Sequence, residues 1–338
     1  MFRNDYSELA APEVMEHLAA YAGTQIVGYG LDEHSARAAE YILRDFGLTK
    51  DEAEVHFVLG GTQANMVAIS YFLRPYEGVI SCDTAHINGH ETGAVEGSGH
   101  KILAVKNADG KILPADIDGI MAEYNNEHLV HPAMVYITEA AENGMVYTNA
   151  ELDALRETCD KYGLLLYLDG ARLGVVLTCG ANVTAEHIAK VCDAFYVGGT
   201  KNGAMIGEAI VLKKNVIPGY FRNQIKNRGA MIGKGYLLGL EFEALFKDGL
   251  YYRLAKNSND MAAYIKKGIE DKVEFTSDSP TNQLFIRVSR SIAPELIEKY
   301  GLEIWTEEAD TQVLRIVTSF ATKKEDAEEF IEYIRKTF

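Results

Sequence analysis

Two residues 32 positions apart could carry the chemistry of this chain. Asp169 closes the apolar run Leu164-Leu-Leu-Tyr-Leu-Asp169, and Lys201 closes Asp193-Ala-Phe-Tyr-Val-Gly-Gly-Thr-Lys201. In open α/β sheets, ligands sit outside the carboxyl ends of the strands, so a carboxylate and an amine placed there can share one cleft. The amine can form a Schiff base with an aldehyde cofactor. The carboxylate can hold a pyridine nitrogen protonated, which makes pyridoxal phosphate (PLP) an electron sink. Taken singly, Asp169 is an ordinary cap or strand-end acid and Lys201 a solvated lysine. Their joint pattern, an apolar strand before each and Gly within two residues after, selects the chemical reading.

A third element fits beside them. Gly60-Gly61-Thr62-Gln63-Ala64-Asn65 lies at a strand-to-helix turn. Glycines there let the backbone approach an anion, and a helix N-terminus offers free N–H groups. The turn matches neither the dinucleotide fingerprint nor the P-loop. A structural turn explains it equally well alone; with Asp169 and Lys201 downstream it reads as a phosphate site.

Other candidates fall away. His86 and His90 are spaced for one helical face, but Gly89 lies between them and no third ligand is evident, so no metal is expected. Cys82, Cys159, Cys179 and Cys192 form no Cys-x-x-Cys pair and read as reduced packing residues.

The elements that must position these residues follow from the hydrophobic pattern. Strands are expected at 55–59, 79–81, 102–105, 133–138, 164–168, 194–197 and 208–212, alternating with amphipathic helices such as 35–46, 64–73, 151–161 and 185–191. That alternation predicts a mainly parallel sheet covered on both faces. After Lys234 a long helix is expected from 235 through 267. Strands at 283–288 and 312–317 and a helix at 324–337 follow, as in a small α+β unit. The expected division is a large domain over 1–240 and a small one over 241–338.

The bulk numbers bound the partners. The 338 residues are 47% apolar and 24% charged, an ordinary globular balance, and carry a net charge of −16. Without a Lys/Arg cluster, that charge argues against nucleic acid and anionic membrane surfaces. No apolar run approaches the roughly 20 residues of a bilayer span. The first residues read as no signal peptide, so the cytoplasm is the expected compartment.

Set in order, Gly61-Thr62-x-Ala64-Asn65, His86, Asp169-Gly-Ala-Arg172, Thr200-Lys201 and Leu314-Arg315-Ile-Val-Thr318 resemble the threonine aldolase family. The resemblance runs from Arg3-Asn-Asp5 to Arg315. It implies the PLP-dependent transferase-like fold (fold type I) and retro-aldol cleavage of a β-hydroxy-α-amino acid to glycine and an aldehyde. An aminotransferase or a β-eliminating lyase would use the same cofactor residues.

By the same resemblance Lys201 would hold PLP, Asp169 would pair with its pyridine nitrogen, and Gly61 and Thr62 would bind its phosphate. Asn65 and Thr200 would stand near the cofactor. His86, read alone a packed or capping residue, would stack on the ring. Arg172 and Arg315 would grip the substrate carboxylate, since a guanidinium fork matches a carboxylate bidentately; Arg315 read alone is as well a structural ion pair. Ser7 or Asn4 would add a hydrogen bond. Tyr29 matches a family Tyr-Gly segment or is a core aromatic. One of Lys226, Arg228 and Lys234 would reach a neighbouring subunit's cofactor, in a homodimer or homotetramer with sites at the interface. One departure stands out: where the family carries Glu-Asn-Thr-His-Asn, this chain has Glu139-Ala-Ala-Glu142-Asn143. The expected His is replaced by Ala141 or Glu142, leaving His86, water or Glu142 as base.

Overall fold

The structure, a computed structural model, describes residues 2–107 and 110–338. Strands β1 (Ala53–Val58), β2 (Glu77–Cys82), β3 (Lys101–Val105), β4 (His131–Thr138), β5 (Leu165–Asp169), β6 (Ala194–Gly198) and β7 (Glu208–Lys213) form one sheet. Their order is β1-β7-β6-β5-β4-β2-β3. β2 through β6 are parallel to one another, and β7 runs antiparallel to both β1 and β6. β6 is buried along its whole length and β5 nearly so. Helices cover both faces, which is why these strands read as continuous apolar runs rather than alternating ones.

A second sheet holds β8 (Glu274–Phe275), β9 (Gln283–Ser289), β10 (Glu303–Glu307) and β11 (Thr311–Val317), in the order β10-β11-β9-β8 and antiparallel throughout. The apolar residues form two clusters. One surrounds the large sheet and reaches Tyr251; the other joins β9 and β11 to the helices Leu250–Ile269 and Lys324–Thr337.

One expectation is corrected, and two short strands, β8 and β10, had not been expected. The long helix is broken into Tyr236–Lys247 and Leu250–Ile269, because Gly249 between them adopts a left-handed conformation (φ 68°) that glycine tolerates without strain. The strand β10 gave no signal: Glu303-Ile-Trp-Thr-Glu307 is a short, charged edge strand with exposed residues.

The N-terminal arm decides how the two parts meet. Phe2 is wholly buried in the second cluster, its ring 5.2 Å from that of Phe330 and 6.4 Å from that of Tyr300. Its N–H donates to Tyr300 O and its carbonyl accepts from Val317 N, both at 2.9 Å. The arm is thereby fixed, and with it the residues that follow. Replacing Phe2 with Ala is expected to cost about 3–5 kcal/mol, the usual range for emptying a buried aromatic site. A denaturant midpoint unchanged from that of the parent would contradict this placement.

Candidate active site

Asp169 is the last residue of β5, and Lys201 lies in the turn after β6, the neighbouring parallel strand. Both line a cavity of about 260 Å³ with Gly60, Gly61, Thr62, His86, Thr200 and Arg172. A wider cavity of about 740 Å³ opens beyond it, sharing His86, Glu142, Arg172, Lys201 and Tyr6 and adding Trp305 and Arg315. Two strand-end residues expected to meet therefore do so.

Four donors converge on Asp169. The Tyr136 hydroxyl (2.5 Å) and Asn65 Nδ2 (2.9 Å) donate to Oδ2; the Tyr196 hydroxyl (2.5 Å) and the Ala171 N–H (3.0 Å) donate to Oδ1. Burial beside this anion raises the pKa of both tyrosines far above its ordinary value, so each stays a donor. Tyr196 reaches Asp169 past the start of the helix Gly61–Phe72. A side chain at Gly61 would stand 2.9 Å from the Tyr196 hydroxyl, so that position needs a residue without one. The helix N-terminus has no side-chain cap, leaving its first N–H groups open to a ligand. Asn65 lies one turn further along, fully buried, facing Asp169 and Glu91 rather than the turn.

The Lys201 amine has a pKa below the ordinary lysine value. Desolvation is the main cause and the Arg172 charge the next, against opposing pulls from Asp5, Glu142 and Asp169. Such an amine is primed as a nucleophile. Glu208, on the cavity wall, has its carboxyl pushed up to about 8 by burial, despite donors at Thr200 and the Gly199 N–H, so most of it is protonated at neutral pH. Thr200 Oγ1 accepts from Gly207 N at 3.0 Å and holds this turn closed.

Arg172 is buried, and the arm reaches it. Asp5 accepts from Arg172 Nε at 2.7 Å and Nη2 at 3.1 Å, and from Asn282 Nδ2 at 2.9 Å. That leaves Nη1 of Arg172 outside the pair. Arg315 projects from β11, donating to Glu303 Oε2 (2.5 Å) and lying 5.3 Å from the ring centre of Trp305. Arg315 thus lines the wide cavity and carries an ion pair with Glu303.

Other predicted residues lie elsewhere. Ser7 is exposed and donates to Asn4 Oδ1 at 2.8 Å. Tyr29 is 49% exposed at φ 62°, beside a separate cavity of about 330 Å³, with Lys226 Nζ 5.1 Å from its ring centre. Neither lines the cavities at Lys201. Sequence reasoning did not single out Asp5, Tyr6, Glu91, Tyr136, Tyr196, Glu208 or Trp305. Tyr136 and Tyr196 each had a signal, a lone hydroxyl inside an apolar run.

Among the described residues, His17, His34 and Glu243 also converge as metal-capable groups. Arg37 already supplies the positive charge there, donating to Glu243 Oε1 at 2.5 Å and lying 2.9 Å from His34 Nδ1. The cluster ties three helices together.

Residues 2–291 match the family model described as Beta-eliminating lyase. The chain belongs to that family. It is 33% identical over 283 residues to a low specificity L-threonine aldolase of Pseudomonas sp. (strain NCIMB 10558), covering 82% of this chain and 81% of the relative. It superposes on the solved threonine aldolase of Leishmania major with a TM-score of 0.97 at 39% identity, over 99% of this chain and 98% of that one. A structure of Oryza sativa TDC with PLP matches at TM-score 0.79 and 13% identity, over 99% and 82% of the two chains, which shows the fold alone. The architecture is fold type I of the PLP-dependent enzymes, and PLP is the cofactor. The residues present fit it: a desolvated amine, a multiply bonded carboxylate and an uncapped helix N-terminus share one cavity.

The Asp5–Arg172 pair yields a pH-dependent prediction. Burial would raise the Asp5 pKa, but Arg172 and Lys201 outweigh it and hold it below the ordinary 3.8. Its stabilisation is therefore complete above that value and fades as pH falls through the lower, folded-state pKa. Asp5→Asn leaves a buried guanidinium unpaired, at about 3–5 kcal/mol near neutrality. The gap between parent and variant should narrow in acid; a gap that widens below pH 3.8 would contradict the assignment.

Proposed function

We propose that this protein cleaves L-threonine, L-allo-threonine or a related β-hydroxy-α-amino acid to glycine and an aldehyde, with PLP as cofactor. The observation that carries the reading is the Lys201–Asp169 cavity opening directly onto Arg172 and Arg315. Kinship to threonine aldolases over most of the chain supports the retro-aldol route.

Lys201 would hold the cofactor by its amine, Asp169 the pyridine nitrogen, and Gly61 and Thr62 the phosphate. His86 would lie on the ring face. When bound, PLP supplies an electron sink for the carbanion left as the Cα–Cβ bond breaks. Arg172, held by Asp5, and Arg315 bind the substrate carboxylate and so set which Cα bond stands ready to break. Burial keeps the Lys201 amine able to give and take a proton at Cα. The β-hydroxyl proton falls to His86 Nε2 or to Glu142, both of which face the shared space.

The wider setting is also part of this reading. The protein acts in the cytoplasm as a homo-oligomer with sites at the interface. An exposed Tyr29 in a left-handed conformation, with Lys226 against its ring, supports a role toward a second copy. Among the described residues no helix is long and apolar enough to cross a membrane.

The test is incubation with L-threonine and L-allo-threonine, assayed for acetaldehyde and glycine. Both products should appear with the parent and vanish with Lys201→Ala. Arg315→Lys should lower kcat/KM about tenfold or more, the usual worth of a charged hydrogen bond. Glutamate formed from 2-oxoglutarate, with no aldehyde, would replace this reading by an aminotransferase.

A further inference from the structure

The residues assigned above leave Glu91 without a role. It follows the short helix His86–Gly89, and its side chain is wholly shielded from solvent. Oε1 accepts from Asn65 Nδ2 at 2.7 Å and lies 2.9 Å from His86 Nδ1. Oε2 is buried and has no hydrogen-bond partner. A carboxylate buried with one bare oxygen is destabilising, so packing alone does not account for it.

Asn65 Nδ2 also donates to Asp169 Oδ2 at 2.9 Å. One amide nitrogen thus bridges two carboxylates, and contacts run unbroken from His86 through Glu91 and Asn65 to Asp169. The path joins the residue assigned to the cofactor's ring face with the one assigned to its nitrogen.

We propose that Glu91 is a positioning residue that holds His86 with its proton on Nδ1, turns Nε2 toward the cavity, and ties His86 to Asp169 through Asn65. This rests on the assignment of His86 and Asp169 to PLP-dependent cleavage. Which imidazole nitrogen is free is set by the hydrogen bond the other one makes. The charged and titratable groups facing His86 are Glu91, Glu142, Asp169 and Lys201, with Asp83, His90 and Arg172 lining the same cavity. Burial opposes charge on His86, but the Glu91 hydrogen bond, together with Glu142 and Asp169, outweighs it and raises its pKa. Among the described residues Glu91 is the acid in hydrogen-bond contact with the ring.

Glu91→Gln removes the charge and keeps the shape, which separates positioning from packing. The first readout is NMR titration of the histidine Cε1 signals in full-length, cofactor-free protein, with His86→Asn assigning the peak. The His86 midpoint should fall by about one pH unit or more, because an opposite charge in contact is worth about 1–3 units. The second is titration of cofactor-free protein with PLP. It is read by the fluorescence of Trp305, the chain's one tryptophan, which lines the wide cavity. Affinity should weaken about tenfold, a loss of about 1.4 kcal/mol. In steady-state kinetics kcat should fall with KM little changed, since Arg172 and Arg315 are untouched.

Glu91→Asp keeps the charge at shorter reach, and should lie between parent and Glu91→Gln in both titrations; it carries the test should Glu91→Gln fail to fold. Variants that match the parent in His86 midpoint and PLP affinity overturn the proposal. Failure of the functional reading looks different. Lys201→Ala would then still retain borohydride-fixed cofactor, whereas the His86 shift is read with no cofactor present.

Discussion

The site depends on one constraint: a carboxylate buried at the end of β5 must have its oxygens satisfied by the fold itself. Asp169 meets that demand with two tyrosine hydroxyls, an asparagine amide and a backbone N–H. Much of the surrounding sequence follows. Tyr136 comes from β4 and Tyr196 from β6, the two parallel neighbours of β5. Gly61 is bare because the Tyr196 hydroxyl passes beside it. Asn65 stands one turn into the helix, where it reaches Asp169 and Glu91 together.

The second organising feature is reach across the molecule. Phe2 is pinned among the apolar residues of the small sheet, and three positions later Asp5 grips an arginine that follows β5. Asn282, just before β9 of the small sheet, holds the same carboxylate. The Arg172 guanidinium is thus held by the N-terminal arm, which is itself anchored on the small sheet. The small sheet adds Arg315 and Trp305 to the opposite wall. Substrate recognition in this reading sits where the two apolar clusters meet, whereas the cofactor residues belong to the large sheet alone.

Legibility in the sequence divides along the same line. The inner strands of the large sheet were readable because burial on both faces produces apolar runs, as in β5 and β6; the edge strands β1 and β3 are only partly buried and were readable from their apolar residues alone. Asp169 and Lys201 were picked out because each follows such a run. The weak strand β10 was not, since an exposed edge carries charge and alternation too short to stand out. Tyr136 and Tyr196 offered only a weak signal, since within a strand a tyrosine reads as one more apolar residue until its hydroxyl partner is known. Glu91 and Asp5 were hidden for another reason: their meaning lies in contacts to residues 26 and 167 positions away. Tyr29 shows the converse case, a residue picked out by its motif that lines a separate cavity, apart from those at Lys201.

The central claim is that Lys201 carries the cofactor. Its most direct test is borohydride reduction of the PLP-loaded protein followed by proteolysis and peptide mass mapping. The account predicts one pyridoxyl label, on the peptide holding Thr200-Lys201-Asn202. A label on any other lysine, or stable labelling of Lys201→Ala, would contradict it.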